Sequence, residues 1–331
     1  MDLQFSIIIP VYNRPDELDE LLLSLVAQKF KENFEIVVVE DGSNLTSKHI
    51  IGKFKNKLNI NYLIKDNSGP GLSRNYGMQK ATGNYYIILD SDCILPENYL
   101  STVLETLLNN YTDAFGGADA AHPSFTTIQK AINYAMTSVL TTGGLRGNKN
   151  LKKFQPRSFN MGISKKAFLE TGGFSALRFG EDINLTFRLW ENNFETQFIE
   201  QAYVYHKRRV NWTSFYRQTF NFGSARPILN RLHPNTGKIT YWFPSIFVIG
   251  LFLSLIGLIF HFNWLVLFFI SYFIFIFFDA LFKNQNVMVA LLSIVATLVM
   301  FFGYGLGFLQ SMFRLSILSK PLEDTFPKMF G

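Results

Sequence analysis

The chain has 331 residues, 48% of them hydrophobic, and a formal excess of +6 at pH 7. That excess is local: residues 1–200 hold 20 Lys/Arg against 22 Asp/Glu, whereas 201–240 hold seven basic residues and no acidic one. One cysteine, Cys93, excludes an intramolecular disulfide framework and fits a reducing compartment, and no nucleic-acid-binding motif accompanies the basic cluster.

The chain opens on Met1-Asp2-Leu3-Gln4, which is acidic and unlike an export signal, and passes directly into a strand-like run, Phe5 to Tyr12. A helix is expected from Pro15, with Asp16 and Glu17 in its first turn and Leu18, Leu21, Leu22 and Leu25 on one face. Glu35 to Glu40 reads as a second strand, followed by a polar helix at 45–57 and a strand at 60–65. Gly69-Pro70-Gly71 breaks the chain before a helix at 72–81. Tyr85 to Leu89 is apolar, suits a strand buried on both faces, and ends in Asp90-Ser91-Asp92. Pro96 opens the next helix. Alternating units of this length imply an α/β fold, a mostly parallel sheet with helices on both faces.

Past residue 110 the pattern loosens. Residues 141–153 read as a basic loop. A strand is expected at 158–164, a helix from Lys165, another helix over Glu181 to Trp190, and a last strand at 197–205 that delivers His206. From Tyr241 the composition changes: 242–262, 264–282 and 287–309 each approach the ~20 residues a helix needs to cross a bilayer. The cluster Lys207, Arg208, Arg209, Arg217, Arg226, Arg231 and Lys238 next to them points to an anionic membrane surface, and is expected to stay cytoplasmic. Three crossings then place Lys320 and Lys328 outside, so full crossing and folding back of the last segment both stay open. The expected organisation is a catalytic domain at 1–210, a basic juxtamembrane segment at 211–240, transmembrane helices at 241–313 and a tail at 314–331.

Asp90 and Asp92 offer hard oxygen ligands where open parallel sheets place their ligands, beyond the strands' carboxyl ends. Taken alone, the pair is a weak signal and reads more readily as a solvated turn after a strand. Four segments together resemble the family 2 glycosyltransferases of GT-A fold: Pro10-Val11-Tyr12-Asn13, Val39-Glu40-Asp41-Gly42-Ser43, Asp90-Ser91-Asp92 and Gly180-Glu181-Asp182. The stretch Gly69 to Gly77 is similar to that family's loop before the metal strand, and the apolar tail is similar to the branch that builds bacterial surface polysaccharides, including succinoglycan-type glucosyltransferases.

The resemblance implies an inverting transfer of a hexose from a UDP- or GDP-sugar to a lipid-linked saccharide, assisted by Mn²⁺ or Mg²⁺, at a cytoplasmic membrane with the catalytic domain facing the cytoplasm. It implies Asp182 as the base, with Glu181 beside it, and Asp92, Asp90 and His206 as metal ligands. Pro10, Tyr12, Asn13, Asp41, Arg74, Asp90 and Arg217 would serve the nucleotide-sugar, and Asn160 the acceptor. A polyprenyl-phosphate hexosyltransferase is the nearest alternative; a noncatalytic nucleotide-sugar-binding membrane subunit is one of another class. Arg217-Gln218 departs from the Gln-x-x-Arg-Trp order of processive synthases, which argues against polymerisation.

Overall fold

In the computed structural model, which describes residues 2–120, 122, 124–143, 153–207, 211–317 and 320–330, the apolar runs of the first half become inner strands of one sheet. The chain runs β1 (Phe5–Val11), α1 (Pro15–Val26), β2 (Glu35–Asp41), α2 (Lys48–Phe54), β3 (Ile60–Lys65), α3 (Pro70–Lys80) and β4 (Tyr85–Leu89). Next come β5 (Cys93–Ile94), α4 (Tyr99–Asn109), β6 (Ala114–Ala120), α5 (Thr127–Thr137), α6 (Val139–Thr142), β7 (Asn160–Ser164), α7 (Lys165–Thr171), α8 (Glu181–Glu191) and β8 (Thr196–His206). The sheet order is β3-β2-β1-β4-β7-β6-β8-β5. β3, β2, β1 and β4 are mutually parallel; β7 is antiparallel to both β4 and β6, and β5 to β8.

Strand side chains alternate between faces, and both faces here are apolar. Ile7, Ile9, Ile36, Val38, Tyr85 and Ile87 pack with Leu18, Leu21 and Leu22 of α1 and Leu100 and Val103 of α4. Ile8, Val37, Val39, Tyr86 and Ile88 pack on the other face with Met78 of α3, Phe168 of α7, and Leu185 and Leu189 of α8. That two-sided burial explains why these strands read as continuous apolar runs.

Some expectations shift. The helix expected at Pro96 starts three residues later at Tyr99, leaving the proline in the connecting loop. β6 and α5 appear where no element was foreseen, because the β6 sequence AFGGADA carries two glycines and little strand propensity. The basic loop at 141–153 falls largely outside the described residues, as do Arg208 and Arg209.

The chain divides into two compact units. The first holds the sheet with its flanking helices, ends at His206, and includes Phe330. The segment between β6 and β7 that carries α5 and α6 belongs to the second unit. The second unit also holds α9 (Trp212–Leu232), a short 3₁₀ turn at Ile239–Trp242, α10 (Phe243–Ile259), α11 (Asn263–Asn284), α12 (Val287–Ile317) and α13 (Leu322–Thr325). Three of these helices are long and apolar enough to cross a membrane.

Candidate active site

The four parallel strands end together, and the site grows from β4. Asp90 follows the last strand residue and Asp92 lies in the turn to β5. β5 pairs antiparallel with the end of β8, with Cys93 opposite His206, which sets the histidine beside Asp92. His206 Nε2 lies 3.2 Å from Asp92 Oδ1, and its Nδ1 lies 4.0 Å from Asp119 Oδ2. The imidazole stacks on the Phe159 ring at 4.6 Å between centroids, which limits its rotation.

A bulge aims this histidine. Gly117 of β6 pairs with Ile199, yet Asp119 pairs with Val204, so β8 advances five residues while β6 advances two. An odd excess exchanges which alternate residues share a face. Asp119 thereby shares its face with Val204 and His206 rather than with Tyr203 and Tyr205.

Arg14, just past the end of β1, donates from Nη1 to Asp92 Oδ2 and Glu17 Oε2, each at 2.9 Å. Burial works to lower the Arg14 pKa, but Asp92 and Glu17 outweigh it and hold the guanidinium above its ordinary value.

The second part of the site is a buried strut. Arg74 of α3 is 3% exposed; its Nη2 donates to Asp90 Oδ1 at 2.7 Å and its Nη1 to Glu181 Oε1 at 3.2 Å. Its guanidinium also lies over the Phe174 ring, 5.2 Å from the centroid. Burial alone would lower its pKa, but Asp90 and Glu181 raise it. Glu181 opens α8 after Gly180, whose φ of +74° is a conformation that suits glycine. Burial, then the neighbouring Asp182 charge, push the Glu181 carboxyl up to about 7, against the opposing pull of Arg74. Asp182 Oδ1 accepts from the Ile183 N–H at 2.7 Å, and Arg157 Nη1 lies 3.5 Å from Asp182 Oδ2.

Aspartate, glutamate and arginine residues far apart in the chain thus form one charged chain from β4 to the first turn of α8. Arg14, Asp119 and Arg157 belong to it and were not foreseen. Arg14 had a signal, a basic residue directly after the Pro-Val-Tyr-Asn strand end. Asp119 was hidden by the glycines of its strand, and Arg157 follows a segment with no readable pattern.

Other expected residues take different places. Pro10 lies within β1, and Tyr12, half exposed, follows its end. Asn13 adopts φ +56°; its N–H donates to Ser43 Oγ at 2.8 Å and its Oδ1 accepts from the Leu45 N–H at 3.0 Å, joining the turns after β1 and β2. Asp41 was expected to accept from a pyrimidine N–H. Its carboxylate instead takes Lys65 Nζ at 2.6 Å and the N–H groups of Ser68 and Gly69 at 2.9 Å each, fastening the loop before α3. Arg74 was expected near phosphates, yet its buried position and two carboxylate partners make it internal support. Asn160 was expected to touch the acceptor; it is 0% exposed and has no surface to offer a sugar. Its amide donates to the carbonyls of Ala118 and Ala202 and accepts from Tyr99 Oη at 2.6 Å. Arg217 is exposed on α9, in the second unit.

Residues 6–180 match the family model described as glycosyl transferase family 2. The chain belongs to that family. This glycosyltransferase is 29% identical over 199 residues to the poly(ribitol-phosphate) beta-N-acetylglucosaminyltransferase TarS of Staphylococcus aureus, covering 53% of this chain and 34% of that one. It is 25% identical over 231 residues to the GalNAc(5)-diNAcBac-PP-undecaprenol beta-1,3-glucosyltransferase of Campylobacter jejuni, covering 67% of this chain and 69% of that one. Against the first group of curated relatives, the glycosyltransferase spans between 16% and 34% of their length. Among solved structures, it superposes on the mannosyltransferase PcManGT of Pyrobaculum calidifontis, solved with GDP-Man and Mn²⁺, at TM-score 0.61 and 14% identity, covering 94% of this chain and 88% of that one. S. aureus TarS 1–349 with UDP-GlcNAc gives TM-score 0.51 at 18% identity, covering 96% and 93%. These likenesses establish the GT-A fold.

Proposed function

We propose that this enzyme is an inverting, divalent-cation-dependent glycosyltransferase that moves a hexose from UDP- or GDP-hexose to a lipid-linked saccharide during surface-polysaccharide synthesis. The observation that carries the reading is the Arg74 strut, which ties Asp90 of the Asp90-Ser91-Asp92 turn to Glu181 beside Asp182. One donor-side carboxylate, Asp90, and one acceptor-side carboxylate, Glu181, are thereby held to one guanidinium.

The donor set fits a cation. Asp92 and His206 face each other, and together with Cys93 they form a group of metal-capable atoms within 4.8 Å of one another. Cys93 is buried and its thiol is pushed well above its ordinary pKa, by burial first and then by Asp92, so it stays protonated and is a poor ligand. Carboxylate oxygens and one imidazole suit Mn²⁺ or Mg²⁺. When bound there, such an ion neutralises charge on the departing diphosphate.

The chain's own residues do the rest. Asp182 takes the proton of the acceptor hydroxyl as its oxygen attacks the anomeric carbon, the bond to the nucleoside diphosphate breaks, and the single displacement inverts that carbon. Arg157 Nη1 lies 3.5 Å from Asp182 Oδ2, at the start of α8. Tyr12 and Asn13, past the end of β1, flank the nucleotide.

The relative from C. jejuni is named for a PP-undecaprenol-linked acceptor. Three apolar helices bring this chain to a membrane, where such an acceptor is concentrated. The decisive experiment screens nucleotide-sugars with purified protein and Mn²⁺, with and without lipid extract, reading released nucleoside diphosphate. Release with one donor, stopped by EDTA and lowered about 10²–10⁴-fold in Asp182→Asn, is expected. Near-full turnover of Asp182→Asn on a polyprenyl phosphate would replace the alcohol acceptor by a lipid phosphate.

A further inference from the structure

The tail bears on membrane topology. Phe330 forms an antiparallel β-bridge with Leu177, and both residues belong to the first unit. Leu177 is buried at 6% exposure, between α7 and α8 in sequence. The chain therefore leaves the first unit after His206, passes through α10, α11 and α12, and comes back to the first unit at Phe330. An odd number of crossings cannot do this, because it would leave Phe330 on the face of the bilayer opposite Leu177.

We propose that this chain crosses the membrane an even number of times, with its tail on the same side as the catalytic unit, and that α12 is the apolar helix that does not cross. Charge distribution agrees. From Ile239 to Phe278 there is no Asp, Glu, Lys or Arg, about two legs of the ~20 residues a crossing needs, with a turn at Phe260-His261-Phe262 between α10 and α11. α12 differs from these two legs. Its 31 residues extend about 46 Å, well beyond a hydrocarbon core of about 30 Å.

α12 is also the most enclosed of the three apolar helices. Ala131, Ile132, Ala135 and Met136 of α5 pack with its Val289 and Ala296. Farther along, side chains at Gly303 and Gly307 would collide with the α9 backbone at Tyr216 and Phe220, so α9 lies directly against it. α9 carries Arg217, Arg226 and Arg231, which belong at a membrane surface rather than within it. With the tail returned, Lys320 and Lys328 lie on the side of the basic cluster, in accord with the positive-inside tendency.

The test uses the chain's single native cysteine to advantage, since Cys93 is buried. Exposed Glu323 in α13 and exposed Glu32 in the first unit are each replaced by cysteine, and right-side-out and inside-out membrane vesicles are treated with a membrane-impermeant maleimide. Labelling of Glu323→Cys and Glu32→Cys in the same vesicle orientation is expected. Labelling of the two in opposite orientations would overturn the proposal. Lys328→Cys, a second exposed tail position, supplies the same readout should Glu323→Cys fail to accumulate. The assay reads sidedness alone, so it stands whether or not the proposed donor and acceptor are correct.

Discussion

His206 has two ring nitrogens and a carboxylate near each, Asp92 by Nε2 and Asp119 by Nδ1. In the proposed cation site Nε2 is the ligating nitrogen, and Asp119, 4.0 Å from Nδ1, acts on the ring through its charge. Asp119→Ala is expected to weaken Mn²⁺ binding about 10–100-fold, measured by EPR titration of the free ion, with little change in melting temperature. Unchanged Mn²⁺ affinity would remove Asp119 from this role. Glu181 gives a second prediction. Its folded value of about 7 lies above the 4.5 of an exposed glutamate, so its contribution favours folding fully below about 4.5 and is lost as pH rises through about 7. Raising the pH from about 5 to about 8 should therefore lower wild-type stability relative to Glu181→Gln, by roughly 3 kcal/mol at most. Parallel pH dependence of the two proteins in thermal melts would contradict the buried-carboxyl account. The coupling of Glu181 to Arg74 was not legible at the level of motifs: the Glu-Asp pair announces a helix start, but that contact depends on which face of α3 turns inward.

At the scale of elements, Asn160 shows how a motif residue can be structural. It sits on β7, and its amide joins β6 at Ala118, β8 at Ala202 and α4 through Tyr99. Asn160→Ala strips partners from the part-buried Ala118 carbonyl and from two buried groups, the Ala202 carbonyl and the Tyr99 hydroxyl, each buried one costing about 1–3 kcal/mol when left unsatisfied. The expected outcome is a clear loss of melting temperature with the acceptor KM unchanged in whatever folded protein remains. A raised acceptor KM at unaltered stability would return Asn160 to the binding surface. The strands β1, β2 and β4 could be read directly because both their faces are apolar, and their helices because leucines recur at helical spacing. β6 could not, since glycines replace the side chains that mark a strand. The bulge between β6 and β8 was equally hidden, as register is a property of two strands and neither sequence states it alone. His206 was nonetheless reachable, because it ends a strand that could be recognised from its own composition.

For the whole molecule, the division into units follows space rather than sequence. α5 and α6 are inserted between two strands of the catalytic sheet, yet they pack with the second unit. Ala131, Ile132, Ala135 and Met136 on α5 bury themselves with Val289 and Ala296 of α12 and Phe215 of α9. Tyr134 Oη donates to Asp279 Oδ2 of α11 at 2.7 Å, and Ser138 Oγ donates to the same oxygen at 3.1 Å. A fragment ending at residue 206 keeps every strand and every residue of the charged chain, so it looks like a complete catalytic domain. It also keeps α5 while losing α9, α11 and α12, the helices that cover its apolar face. Exposed apolar faces of that kind drive association. The fragment is expected to run as an aggregate or to require detergent in size-exclusion chromatography. Ile132→Ser with Met136→Ser should shift it toward the monomer, because these changes make the uncovered face polar without touching the sheet. A fragment that is monomeric without detergent and without those substitutions would show that α5 does not depend on the membrane helices for its cover.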